Sequence, residues 1–323
     1  MFIEQAYKGN NETWRVLLTT LLANGIFILN FIVLFFMSDV QLAQAYETMK
    51  EIPNNLSLAL NLSIFIPLLG VLFLMVALLH RRSILTLTTS RPKVDFGRFF
   101  FSFMLIVVLT VVTFAISYSM DSSTIEWNFK PGPFAVLLVL SLLLFPIQIG
   151  FEEYLFRGFL MQQVGIAVKN RWFPLILTSI VFGLFHVANP EVAEMGFGVM
   201  GFYIGTGLLL GIMTLMDEGM ELALGFHFGN NLMAALLITS DYSALQTDAL
   251  FRYTGAEDTG NMLTEMLVSI AITYPVILLI LAKKYKWTDW VSKLTGKIQP
   301  PLLQTEYGNS DSNTGIQQGS PQV

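Results

Sequence analysis

The chain has no cysteine, which excludes disulfides, thiolate metal sites and a cysteine nucleophile. Charge is scarce too. Only 13% of its 323 residues are Asp, Glu, Lys or Arg, against about 25% in a soluble domain. Histidine is rarer still: His80, His186 and His227 are the full complement. There is no His-Glu-x-x-His zincin signature, no Gly-rich phosphate loop, no internal repeat and no basic-aromatic surface, so nucleic acid is not an expected partner. What is abundant is apolar surface, at 54% hydrophobic residues. The composition is that of a polytopic membrane protein whose surroundings are the lipid bilayer.

Eight runs are candidates to cross about 30 Å of hydrocarbon. They are Trp14 to Phe36, Ser57 to Leu79, Phe99 to Tyr118, Phe134 to about Phe159, Trp172 to Ala188, Gly196 to Met216, Leu222 to Thr239, and Met266 to Ala282. The first is too long for a signal-peptide core and reads as a span. In the fourth, Pro146 and Gly150 predict a bend just before residue 152. With eight spans, Arg81, Arg82, Arg91, Lys93, Arg98, Lys169, Arg171 and the lysines after Ala282 all fall on one side. The positive-inside rule makes that side, and both termini, cytoplasmic. A seven-span reading breaks the pattern. The expected fold is an all-α membrane bundle of about eight transmembrane helices. Residues 1–133 form the first three spans, 134–239 a core, 240–303 the last span with a basic end, and 304–323 a disordered polar tail.

Ionisable groups inside apolar runs cost about 2.5 to 3.5 kcal/mol each on insertion scales and need a purpose or a partner. Glu152, Glu153 and Arg157 lie together in the fourth run. On a helix, Glu153 and Arg157 are four residues apart and can pair, whereas Glu152 is turned about 100° from Glu153 and is left without a partner from its own helix. His186 lies one turn after Phe182 in the fifth run, and His227 one turn before Asn231 in the seventh. These side chains are nearly the whole strongly polar content of three spans. Because such groups avoid lipid, they are expected to converge on the bundle interior. A carboxylate beside an imidazole serves as general base on a water, and a second imidazole with a carboxamide offers oxyanion donors. The same groups, through Glu152, His186 and His227, also suit a divalent metal such as zinc.

The remaining features have plainer readings. His80, beside Arg81 and Arg82, reads as interfacial. Asp217, Glu218 and Glu221 read as a solvated cytoplasmic turn, and the Gly-rich sixth run as close helix packing through small residues.

Taken together, Glu-Glu-x-x-x-Arg (Glu152, Glu153, Arg157), Phe-x-x-x-His (Phe182, His186) and His-x-x-x-Asn (His227, Asn231) resemble the motifs of the CPBP family of intramembrane proteases. That family includes the type II CAAX prenyl endopeptidases and the bacterial Abi proteins of bacteriocin processing and self-immunity. The resemblance covers roughly 134–239. It implies an endopeptidase with its site in a cavity within the bilayer and a membrane-associated or lipid-modified peptide or protein as substrate. It implies Glu152 as the water-activating base assisted by His186, oxyanion roles for His227 and Asn231, and orienting roles for Glu153, Arg157 and Phe182. The mechanism implied is glutamate-dependent or metal-dependent. In a bacterium the protein would sit in the cell membrane. Two other readings remain: a non-proteolytic immunity or scaffold protein of the same fold, which would keep its function in Glu152→Gln, and an ion-coupled transporter. Transporters commonly show paired repeats, which this chain lacks.

Overall fold

The computed structural model describes residues 1–300 apart from 242, 244, 245 and 256–258; the polar tail 304–323 lies outside the described residues. Helices α1 (Thr13–Phe36), α2 (Asp39–Lys50), α3 (Asn54–Ser63) and α4 (Phe65–Leu78) are followed by the short α5 (Leu85–Thr88) and the long α6 (Phe96–Met120). Next come α7 (Pro131–Glu153), a π-helical segment Tyr154–Leu160, and α8 (Met161–Val168). The second half holds α9 (Trp172–Leu184), α10 (Pro190–Met195), α11 (Met200–Asp217), α12 (Glu221–Leu236), α13 (Thr259–Tyr285) and α14 (Trp290–Thr295).

Among the described residues of the all-α bundle, six segments are long and apolar enough to cross a membrane: Thr13–Val33, Asn54–Leu78, Phe96–Met120, Pro131–Val168, Phe197–Asp217 and Met262–Tyr285. The fifth and seventh runs become the shorter α9 and α12, of 13 and 16 residues. The fourth run differs from expectation. Its α-helical ladder continues through Pro146 and Gly150, and the irregularity comes after the glutamates, as the wide π turn. At about 1.5 Å per residue the 38-residue rod Pro131–Val168 is near 57 Å long, well beyond the hydrocarbon thickness. Its α8 end therefore projects past the apolar layer, where Gln162 and Gln163 bond Arg82 and Asn11.

The two ends of the bundle are built differently. Strands β1 (Ile125–Trp127), β2 (Ile238–Thr239) and β3 (Phe251–Tyr253) form a small sheet, in which β3 pairs antiparallel with β1 and parallel with β2. It staples together connections of the end opposite the basic residues. At the basic end, Asp217 and Glu221 are buried rather than solvated. Asp217 accepts from Arg91, Arg98 and the Trp287 indole, and Glu221 accepts from Arg91 and the Asp95 amide. Lys169 and Glu218 both take left-handed conformations (φ 56° and 57°) that turn the chain from α8 to α9 and from α11 to α12. The Phe2 amide donates to Glu218, and Arg171 reaches Glu4 at 2.8 Å, so the N-terminal segment is tied to this end. His80, just past the end of a membrane-crossing segment, is fully buried in the protein, with its ring between Thr19 Oγ1 (2.9 Å) and the Asn10 carbonyl (2.7 Å).

Small residues set the helix spacing around the middle of the bundle. A Cβ on Gly207 would come within 2.9 Å of the Ser179 carbonyl, and one on Gly211 within 2.5 Å of Leu175. The Gly-rich run thus packs α11 against α9, as its composition led us to expect. On α12, Gly225 and Gly229 share a face pressed onto α6, where a Cβ would meet the carbonyls of Phe99 and Phe103. His227 lies midway between them in sequence, so helical periodicity turns it to the other side, towards α7.

Candidate active site

Glu153 is the centre of the polar cluster. It is fully buried, and its Oε1 accepts from Arg157 Nη1 and from His227 Nδ1, both at 2.8 Å. The i,i+4 pair expected from the sequence is therefore present, and it also fixes an imidazole on another helix. Arg157 is equally buried. Its Nη2 donates to the Gly207 carbonyl at 2.9 Å, and its guanidinium carbon sits 4.6 Å from the centroid of the Phe182 ring. One buried cation thereby ties α7 and the π segment to α11 and α9. Such a pair adds little net stability over an apolar substitute, but deleting one partner leaves an uncompensated charge at a cost of about 3–5 kcal/mol.

Glu152 is held differently. Its Oε1 accepts from Gln148 Nε2 at 2.9 Å, so its own helix does supply a partner, one turn earlier, though a neutral one. Oε2 has no hydrogen-bond partner and lies 3.6 Å from His227 Nε2, beyond hydrogen-bonding distance. Glu152 is 8% exposed and Glu153 0%, and Oε2 of each is itself buried. Buried Oε2 of Glu153 and Nε of Arg157 also lack partners.

His186 arrives by an unexpected route. Helix α9 stops at Leu184, and His186 sits in the turn that follows, its ring folded back so that Nδ1 bonds the Phe182 carbonyl at 2.9 Å. This resolves a mismatch of depth. From Arg171, His186 is about 22 Å along a straight helix, whereas His227 is about 14 Å from Glu218. Folding back brings the ring level with Phe182, whose own ring lies 4.9 Å from His186 and 5.9 Å from His227 between centroids. Phe182 therefore touches Arg157 and both imidazoles. Asn231 follows His227 by one turn on α12, and its Oδ1 accepts from Asn230 Nδ2 at 3.3 Å.

Sequence reasoning missed several supporting groups. Tyr203 stacks on His186 (centroids 4.3 Å, planes 20° apart), and its hydroxyl accepts from Asn189 Nδ2 at 2.9 Å. Nothing in a Gly-rich span marks one tyrosine as special. Gln148 carried a legible signal, being polar in an apolar run and four residues before Glu152.

A divalent ion would need Glu152, His186 and His227 to aim three donors at one point. Each has one atom engaged, Oε1 by Gln148 and the two Nδ1 atoms by Phe182 and Glu153, which leaves Glu152 Oε2 and the two Nε2 atoms as the donors an ion would take. Among the described residues no group of three His, Asp or Glu side chains is arranged to hold an ion.

Comparison with known proteins covers both the core and the whole chain. The family model for type II CAAX prenyl endopeptidase Rce1-like proteins matches residues 131–233, the region that carries all three motifs. The uncharacterized protein YyaK of Bacillus subtilis is 31% identical over 282 residues, which span 82% of this chain and 90% of the relative. No solved structure matches. With six helices fit to cross a membrane, the chain is an integral membrane protein, and it belongs to the CPBP family of intramembrane proteases, the family of the type II CAAX prenyl endopeptidases.

Proposed function

We propose that residues 134–239 form the catalytic core of a membrane-embedded endopeptidase in which Glu152 activates water. The observation that carries this reading is the contrast between adjacent carboxylates: Glu153 Oε1 takes two donors from basic side chains, Arg157 and His227, while Glu152 Oε1 takes only the neutral Gln148 and its unpartnered Oε2 lies 3.6 Å from His227 Nε2.

Glu152 Oε2 takes one proton from the water as its oxygen adds to the scissile carbonyl carbon. His186, with Nδ1 donating to Phe182, offers Nε2 as acceptor to the other water proton and so aims the oxygen. The carbonyl electrons move to an oxyanion, for which His227 and the Asn231 amide are the partners at hand. The proton held by Glu152 then passes to the amine nitrogen, the C–N bond breaks, and a carboxylic acid and an amine leave. Glu153 and Arg157 hold His227 in place, and Phe182 separates the two imidazoles. The substrate is a peptide or protein at the membrane, lipid-modified or membrane-spanning. The arginines and lysines at the Glu218 end support a cytoplasmic reading of that end.

The test is purified protein assayed on a peptide panel, with bound metal measured alongside, for wild type and for Glu152→Ala, His186→Ala and His227→Ala. Loss of hydrolysis in all three with the fold intact supports the assignment. Full activity in all three would refute it. A stoichiometric zinc lost together with activity would transfer these residues to the metal-dependent reading.

A further inference from the structure

Outside the catalytic cluster, a cavity of about 160 Å³ lies between α6, α11, α12 and α13. Half of its lining is neutral and polar: Thr110, Thr113, Asn230, Ser269, Thr273 and Tyr274. No charged residue lines it. Its flanks carry Val108 and Val112 of α6 and Val268, Ile272 and Val276 of α13, all exposed. In a bilayer these face lipid, so the cavity opens sideways into the membrane.

Three of its polar groups offer acceptors. The Thr113 hydroxyl donates to the Leu109 and Thr110 carbonyls and the Thr273 hydroxyl to the Ser269 carbonyl, so both keep lone pairs free. Asn230 uses one N–H on Asn231 and keeps its Oδ1 as an acceptor. A neutral, acceptor-rich chamber facing hydrocarbon suits an uncharged N–H or O–H donor, which has few other partners there.

The cavity shares its back wall with the catalytic cluster. On α12, Phe226 and Asn230 face the cavity, while the neighbouring His227 belongs to the cluster. On α11, Phe202 faces the cavity, and Tyr203 stacks on His186. Thr206 shares a 2.6 Å hydrogen bond with Tyr274 of the cavity, and the next carbonyl, Gly207, receives Arg157.

We propose that this cavity is a recognition subsite for a neutral hydrogen-bond-donating side chain, Asn, Gln, Ser or Thr, carried on the membrane-spanning segment of the substrate; the word substrate rests on the peptidase reading. The segment lies between the exposed valines and isoleucines of α6 and α13, and its donor enters the chamber. Bound there, it bears on the two helices that carry His227, Asn231 and Tyr203.

The absence of cysteine permits a clean binding assay. Full-length protein labelled at Leu279→Cys, which is exposed on α13, is placed in liposomes at high lipid dilution. It is titrated by energy transfer against a polyleucine transmembrane peptide bearing one central Asn, Thr or Val. The Asn and Thr peptides are expected to bind about threefold to tenfold tighter than the Val peptide, the range of intramembrane hydrogen bonds. The isosteric pair Thr110→Val/Thr273→Val, with Ser269→Ala as a milder second variant, should erase the difference and leave Val-peptide binding unchanged. Equal binding of the three peptides to wild type, or discrimination retained in the double variant, overturns the proposal. So does a water store, which would give no discrimination and a uniform fall in turnover for every peptide. Because the readout is binding, discrimination without any cleavage would sink the peptidase reading while the subsite stood, and cleavage without discrimination would do the reverse.

Discussion

Two clusters of buried charge, one at the basic end and one at the middle of the bundle, differ in how completely they are paired. Around Arg91, both carboxylate oxygens of Asp217 and of Glu221 find donors. Around Arg157, Oε2 of Glu152 and of Glu153 do not. Nature tolerates an unsatisfied buried carboxylate where structure alone is at stake only rarely, since each costs free energy. The first cluster is therefore a clasp, holding the α11–α12 turn to the segment before α6. The second gives up part of its pairing, and the carboxylate that gives up most, Glu152, is the less deeply buried of the two.

The largest effect that would sharpen this contrast is on stability at the centre. Arg157→Met leaves Glu153 buried without its cation and should cost about 3–5 kcal/mol in thermal or denaturant unfolding. Adding Glu153→Gln should recover most of it. If Arg157→Met unfolded like wild type, the ion pair would have no structural weight. At the clasp, Arg91→Ala should cost about 1–3 kcal/mol, with turnover per folded molecule unchanged. Its penalty should shrink at high salt, because Arg91 is partly open to solvent and Arg157 is not. Equal salt response at the two sites would erase the distinction.

A smaller effect is expected next to His186. Tyr203→Phe keeps the ring stack and loses the bond from Asn189, whereas Tyr203→Leu loses both. Stacking is worth about 0.5–1.5 kcal/mol, so turnover should fall by about tenfold at most in the leucine variant and less in the phenylalanine variant. A flat response in both would remove Tyr203 from the positioning of His186.

The smallest effect concerns pH at the clasp end. Burial pushes the His80 imidazole below its ordinary value, against the partial opposition of the Asn10 carbonyl. The folded state thus favours neutral His80, and the unfolded chain binds the proton first. Stability from this residue is present above the unfolded value of 6.5 and falls as pH drops from there towards the lowered folded value. Thermal unfolding of wild type should show that loss, and His80→Gln should flatten it. An identical pH profile in the variant would show that another group is responsible.

How much of this was legible in the sequence follows from the physics of each element. Apolar run length led to six of the eight expected spans as helices long enough to cross among the described residues, with the fifth and seventh runs shorter, and arginine and lysine do gather at one end. Glu153 with Arg157 followed from helix periodicity alone. What escaped was whatever depended on departures from periodicity. The π turn after Glu153 has no sequence marker comparable to Pro146, which the helix absorbs. The early stop of α9 at Leu184 sets the depth of His186, yet the run continues apolar to Ala188. Asp217 and Glu221 were misread as solvated because their partners, Arg91 and Arg98, lie more than a hundred residues away.

The central claim is that two neighbouring glutamates do different work, and side-by-side Glu152→Gln and Glu153→Gln test it most directly, with hydrolysis and thermal unfolding measured on each. We expect Glu152→Gln to unfold at the wild-type temperature with hydrolysis reduced by about 100- to 10,000-fold, and Glu153→Gln to be less stable. Wild-type hydrolysis in Glu152→Gln, with hydrolysis lost and stability kept in Glu153→Gln, would contradict the account.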